Sequence, residues 1–179
     1  MADTVPSTAW GYRALYVILA LALMFLRLLP LGTLAGSWPG PDVLLCLTLG
    51  WVLRRPDYLP ATLIAAVVLL EDLLLMRPPG LWAAIMVLAA EFLRTRSAAT
   101  RELSFAFEWL LVAAVMTGAM LAFRLALMLT MLPQASLGQT MVQLIVTILC
   151  YPVVVGASRL AFGVRKPATG EVDAYGRRV

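Results

Sequence analysis

Apolar positions in this chain do not alternate with polar ones. They run in six stretches: Tyr12 to Leu34, Val43 to Leu53, Leu59 to Met76, Leu81 to Leu93, Phe105 to Leu132 and Thr140 to Phe162. A helix that crosses a bilayer needs about 20 apolar residues, with a range of about 17 to 25. The first, third, fifth and sixth stretches meet that length. The second and fourth cover only about 16 to 20 Å as helix, so they thin the bilayer, borrow flanking turns or re-enter. The pattern predicts an all-α polytopic membrane protein: one domain over residues 1–163 with six transmembrane helices, at approximate spans 12–34, 41–54, 59–76, 80–93, 105–132 and 140–162. The segments Gly36-Ser37-Trp38-Pro39-Gly40 and Pro133-Gln134-Ala135-Ser136 carry turn chemistry between them. Residues 164–179 are polar and basic and read as a disordered tail. Leu34-Ala35-Gly36-Ser37 has the small residues of a signal-cleavage site. The apolar run before it is too long for a signal core and is broken by Arg27, so a retained first helix is expected.

The polar residues inside these stretches are the informative exceptions. Glu71 and Asp72 stand side by side near the end of the third stretch, and Arg27 and Arg124 interrupt the first and fifth. An ionised side chain in hydrocarbon costs at least a few kcal/mol, so such groups face protein or trapped water and have partners. Counted from the basic end of each helix, Arg27 lies roughly 22 Å in, the acid pair roughly 18 to 20 Å, and Arg124 roughly 28 Å. Asp42, which opens the second stretch, belongs to the same leaflet. These five residues are the candidate polar cluster. Either they pair with one another as architecture, or they line an outward-facing cavity or a docking groove.

Helical phase gives Asp72 a face shared with the small residues Ala61 and Ala65, which makes it the expected buried partner of an arginine. Glu71 is expected on the flank, beside Ile64 and Val68. In the fifth stretch Ala114, Gly118 and Ala122 form a small-residue packing seam, and Ala113, Thr117 and Arg124 form a second face, so that helix is expected to be buried twice. In the sixth, Gln143, Thr147, Tyr151 and Ser158 make a polar stripe, with Pro152 a kink. Glu108 and Glu91 read as interfacial charges, Glu108 in the first turn of its helix and Glu91 beside Arg94.

Composition sharpens this picture. Apolar residues make up 62% of the 179, and the mean hydropathy of +0.90 places the chain among integral membrane proteins. With six crossings, Arg13, Arg54, Arg55, Arg94, Arg96, Arg101, Arg159, Arg165, Lys166, Arg177 and Arg178 fall on one side, and Arg77 alone on the other. That asymmetry predicts cytoplasmic termini. It also accounts for the net charge of +4 without a nucleic-acid partner. There is no histidine, and Cys46 and Cys150 lie singly in different stretches, so neither a metal site, a cofactor nor histidine-based catalysis is expected. No phosphate-binding glycine loop or serine nucleophile elbow is present, and a non-enzyme is the expectation.

Three segments carry a family resemblance: Pro41-Asp42-Val43-Leu44-Leu45, then Trp51-Val52-Leu53-Arg54-Arg55-Pro56, then Glu71-Asp72-Leu73-Leu74-Leu75-Met76-Arg77-Pro78-Pro79-Gly80-Leu81. The ordered set resembles MreD, the rod-shape-determining membrane proteins of bacteria. That pattern has a Pro-Asp opening a helix (Pro41, Asp42), an Arg-Pro turn (Arg55, Pro56), an intramembrane Asp (Asp72) and a Pro-Gly turn (Pro79, Gly80). The likeness spans Pro41 to Arg94; elsewhere it rests on hydropathy. Where family members often place glycines before the intramembrane Asp, this chain has alanine and valine from Ala65 to Val68. The resemblance implies a non-catalytic scaffold in the bacterial inner membrane. Such a scaffold binds the membrane helix of MreC and helps couple MreB filaments to peptidoglycan synthesis by RodA and its partner transpeptidase. It also implies a six-helix fold similar to the substrate-binding S-components of energy-coupling-factor transporters. The alternative reading is a small-solute or lipid-binding transporter subunit with an outer-leaflet pocket.

Overall fold

Every apolar stretch becomes an α-helix, but the lengths are redistributed. The computed structural model describes residues 7–29, 39–100, 104–162 and 164. Its elements are α1 (Ser7–Leu28), α2 (Val43–Arg54), a single 3₁₀ turn (Pro56–Tyr58), α3 (Ala61–Leu74), α4 (Leu81–Thr100), α5 (Phe105–Leu129) and α6 (Leu137–Phe162), with no strand among the described residues. Three helical segments are long and apolar enough to cross a membrane, Ala9–Leu28, Phe105–Leu129 and Leu137–Phe162, while Val43–Arg54 is apolar but shorter. The protein is therefore a helical membrane protein. The expected extension of the first helix to Leu34, the sequence Leu34 to Ser37 and the tail beyond Val164 lie outside the described residues.

The second stretch is short as expected, as α2, but the other short helix is α3 and not the fourth stretch. α4 continues past Leu93 through Arg94 to Thr100, giving 20 residues. α3 has only 14. Pro60, with φ −61° and ψ 151°, holds the chain extended just before it, and Met76 takes a left-handed φ of 52° just after it. At 1.5 Å per residue, α2 and α3 span roughly 18 and 21 Å.

Successive helices run in opposite directions, so the start of α1 and the finish of α6 meet at one end of the bundle, called here the near end. The Tyr12 hydroxyl donates to the Phe162 carbonyl at 3.2 Å, and the Tyr12 ring stacks on Tyr58 with centroids 4.3 Å apart. Among the described residues the near end carries Arg13, Arg54, Arg55, Arg94, Arg96 and Arg159 against Asp57, Glu91 and Glu108; the far end carries Arg27, Arg77 and Arg124 against Asp42, Glu71 and Asp72.

α2 is the axis of the fold. It is apolar all round, and every residue from Leu44 to Arg54 is buried, as expected of a helix with no lipid-facing side. It packs against α6 and α4; α3 packs on α4, and α4 on α5. Gly50 permits the closest approach to α6: a Cβ there would lie 3.2 Å from Val155 Cγ2.

The polar stripe of α6 faces this axis. Thr147 Oγ1 accepts from the Asp42 backbone N–H at 2.9 Å, and Ser158 Oγ accepts from Trp51 Nε1 at 3.2 Å. The Cys46 thiol donates to the Thr147 carbonyl at 3.3 Å, which makes it a packed helix-contact group. α1 joins through Tyr16, whose hydroxyl is 2.9 Å from Thr48 Oγ1.

Pro152 has no N–H to give the carbonyl of Ile148, four residues back. Trp109 of α5 supplies the missing donor: its Nε1 lies 2.9 Å from that oxygen. Trp109→Phe is expected to cost about 1 to 2 kcal/mol, the penalty of an unsatisfied carbonyl between helices. In a Pro152→Ala background, where residue 152 regains its own N–H, that cost is expected to vanish. A double-mutant cycle read by unfolding in detergent checks this, and an equal penalty in both backgrounds rejects the assignment.

Candidate functional site

The candidate cluster assembles at the far end, with partners other than those expected. The inward face of α3 is Ile64, Val67, Val68, Glu71 and Asp72, an i, i+3, i+4, i+7, i+8 set centred on the large residues; Ala61 and Ala65 are only partly buried. Glu71, expected on the flank, is therefore inside at 2% exposure, and its Oε1 accepts from Arg27 Nη1 at 2.6 Å. Arg27 Nη1 also lies 3.5 Å from Asp42 Oδ2, so one guanidinium bridges acids from two elements. The arginine of α1 thus goes to Glu71 rather than to Asp72.

Asp72 is fully buried and does something different. Its Oδ2 accepts the backbone N–H groups of Gly80 and Ala83, both at 3.2 Å, so it caps the first turn of the next helix. The turn between them makes this reach possible. The Arg77 N–H donates to the Asp72 carbonyl at 2.9 Å, Met76 is left-handed, and Gly80 has a φ of 84°. Arg77 Nη1 stands 4.0 Å from both Glu71 Oε2 and Asp72 Oδ1, and its guanidinium lies over the Trp82 ring, 5.8 Å from the centroid. Asp42 uses the same chemistry at the start of α2, where its Oδ1 accepts from the Leu45 N–H at 3.1 Å.

Among the described residues Arg124 is not brought to an acid. Its Nη1 donates to Thr140 Oγ1 at 2.7 Å and to the Ala135 carbonyl at 3.2 Å, tying the end of α5 to the start of α6. A cavity of about 200 Å³ opens beside it, lined by Asp42, Arg77, Arg124, Gln134, Thr140 and Gln143. A second, of about 250 Å³, lies on the other side of Asp42 along Arg27 and Glu71.

A further buried ion pair was not expected from the sequence. Glu108, read as an interfacial charge, is 1% exposed; Arg54 Nη1 lies 2.6 Å from its Oε1, and the Tyr151 hydroxyl donates to the same oxygen at 2.9 Å. Arg54 also reaches the Gly50 carbonyl at 3.3 Å. This triad joins the near ends of α2 and α5 to the middle of α6. One signal could have found it: Tyr151 shares the polar stripe of α6, and a buried tyrosine hydroxyl seeks a partner. Glu91 is half-buried and pairs with Arg94 at 3.0 Å. Arg94 in turn donates to the carbonyls of Pro56, at 2.9 Å, and of Leu59, holding the α2–α3 connection.

The seam on α5 is open rather than packed. The buried face of that helix is Glu108, Val112, Met116, Ala119 and Leu127, whereas Ala114, Gly118 and Ala122 are exposed. Thr117 Oγ1 turns back to the Ala113 carbonyl at 2.8 Å. The helix is therefore buried on one face, not two.

Compared with protein-family models, with curated proteins and with solved structures, the chain matches none.

The geometry separates the two acids by experiment. Glu71→Leu is expected to cost about 3 to 5 kcal/mol by stranding Arg27, and Arg27→Leu in the same chain recovers most of it. Asp72→Leu removes a cap worth about 1 to 2 kcal/mol, and neither Arg27→Leu nor Arg124→Leu restores it. Rescue of Asp72→Leu by either of those two replacements, seen in unfolding titrations, contradicts the capping role. At the other end, Glu108→Leu is expected to be as damaging as Glu71→Leu and to be relieved by Arg54→Leu. If the two single losses simply add, the near-end pair carries no coupling.

Proposed function

We propose that this protein is a non-catalytic scaffold of the bacterial cell-elongation complex. In this reading it resembles MreD, binds the membrane helix of MreC and helps couple MreB to peptidoglycan synthesis by RodA and its transpeptidase. It sits in the inner membrane with six crossings and both termini cytoplasmic. The excess of arginine over acid at the near end supports that orientation, and the neutral far end is compatible with the periplasmic leaflet.

The observation that carries the reading is the open groove between α4 and α5. Ala114, Gly118 and Ala122 form its floor, Leu88 and Phe92 stand on its α4 side, and its volume is about 400 Å³. A Cβ added at Gly118 would meet nothing within 4 Å. Small residues along one helix let a second backbone approach closely, which is how helices associate where lipid removes the hydrophobic driving force. A single membrane helix such as that of MreC has the shape to fill this groove.

The transporter alternative has less support. Pockets for small-molecule substrates usually hold about 300 to 1,000 Å³. The two cavities at the far end, about 200 and 250 Å³, fall below that.

The test uses the space at Gly118. Gly118→Leu fills the groove without touching the protein's own packing, so its melting temperature is expected to stay close to wild type. Capture of co-expressed MreC is expected to fall about tenfold, equivalent to about 1.4 kcal/mol. Undiminished capture in Gly118→Leu and in Ala114→Leu rejects this groove as the MreC site.

A further inference from the structure

We propose that the cavity between α2, α4, α5 and α6 at the far end binds a phosphate group, carried on a lipid or free. It is distinct from the groove on the α4–α5 flank and does not depend on what fills that groove.

Two arginines line this cavity, and neither is fully used. Arg124 spends only Nη1, on Thr140 and Ala135; its Nε and Nη2 make no hydrogen bond among the described residues. No carboxylate lies within 4.0 Å of it among the described residues, and residues 30–38, which connect α1 to α2, include no acid in their sequence. Arg77 meets Glu71 and Asp72 only at 4.0 Å, at the limit of an ion pair. Both acids have closer partners, Glu71 in Arg27 and Asp72 in two backbone amides. The one carboxylate on the wall, Asp42, is committed to the Leu45 amide and to Arg27. The cavity therefore presents one guanidinium, Arg124, with no carboxylate partner among the described residues, and a second, Arg77, held only loosely by its acids.

Guanidinium is suited to phosphate because its planar fork donates two parallel hydrogen bonds to two oxygens. Thr140, Gln134 and Gln143 add neutral polar groups to the same wall. A volume of about 200 Å³ admits a phosphate or a small phosphate ester but not a nucleotide. Phe123 and Leu127 add apolar surface to the same wall, against which the start of a lipid chain would lie.

The test uses the full-length protein, purified in maltoside detergent without phosphate and stripped of lipid. Thermal unfolding and native mass spectrometry are recorded with inorganic phosphate, with dioctanoyl phosphatidic acid, and with dioctanoylglycerol, which has the same chains and no phosphate. Phosphatidic acid is expected to raise the melting temperature and to appear as a bound adduct, while dioctanoylglycerol does neither. A matching shift with inorganic phosphate assigns the site to the free anion as well; a shift with phosphatidic acid alone assigns it to lipid. Arg124→Gln is expected to weaken binding about tenfold, the loss of one charge-assisted contact. Gln143→Glu, which keeps both arginines and sets a negative charge on the wall, is expected to do the same and carries the test if Arg124→Gln does not fold. Arg159→Gln, exposed at the near end, leaves binding unchanged. Equal shifts with dioctanoylglycerol, equal binding in wild type and Gln143→Glu, or no stabilisation of wild type by either phosphate compound overturns the proposal.

Discussion

A short helix that ends inside hydrocarbon must have its terminal groups satisfied by protein, and this constraint shapes the whole bundle. α2 spans roughly 18 Å, against a hydrocarbon thickness of roughly 30 Å. At least one of its ends therefore stops where there is no bulk water, and free backbone groups or charges there would cost several kcal/mol each. Both ends are closed by side chains. Asp42 caps the first turn and is held by Arg27; Arg54 at the last turn is held by Glu108 and Tyr151. Since those partners come from α1, α5 and α6, capping the helix and assembling the bundle are one event.

α3 extends the same logic. Its roughly 21 Å also falls short of the bilayer, and the turn that follows it exposes the first amides of α4. Asp72 answers those amides, and Glu71 answers Arg27. Adjacent acids that look alike in composition thus do separate work: one closes a helix end and the other neutralises a cation. Adjacency follows from that division. A residue at the last turn of α3 can look forward to α4, and its neighbour, 100° away, looks across to α1.

Much of this was legible in the sequence, and the failures have identifiable causes. Helix existence followed from apolar length, because nothing else satisfies a backbone in lipid. Of the five residues grouped by depth, Arg27, Asp42 and Glu71 meet directly, Asp72 stands beside them, and Arg124 turns to Thr140 and Ala135 instead. Their pairing was not legible. Asp72 binds amides that become available only because Met76 and Gly80 turn the chain with positive φ, and Met76 is not a residue that announces such a turn. The inward face of α3 was misjudged because small residues mark close approach only where a helix actually approaches; here the large Ile64, Val67 and Val68 fill the interior instead. Glu108 and Arg54 each resembled an interfacial charge by position, and only the convergence of three helices makes them a pair. The α5 seam was read as internal packing, whereas the bundle leaves it uncovered.

α5 borders two of the openings that the bundle leaves. One face is committed to the core through Val112, Met116 and Ala119. On one flank Ala114, Gly118 and Ala122 offer a backbone-deep groove; on another, near the far end, Arg124 lines a cavity whose one carboxylate, Asp42, is held by Arg27. Packing density is normally high enough that such openings cost stability, so a folded bundle that keeps two of them has left contacts unmade. Neither can be closed by a small shift of the helix, because Glu108 fixes its near end to α2 and Trp109 fixes it to α6 at the carbonyl that Pro152 releases. The interactions that make the bundle rigid are thus also the ones that hold both openings in place for something other than this chain to fill.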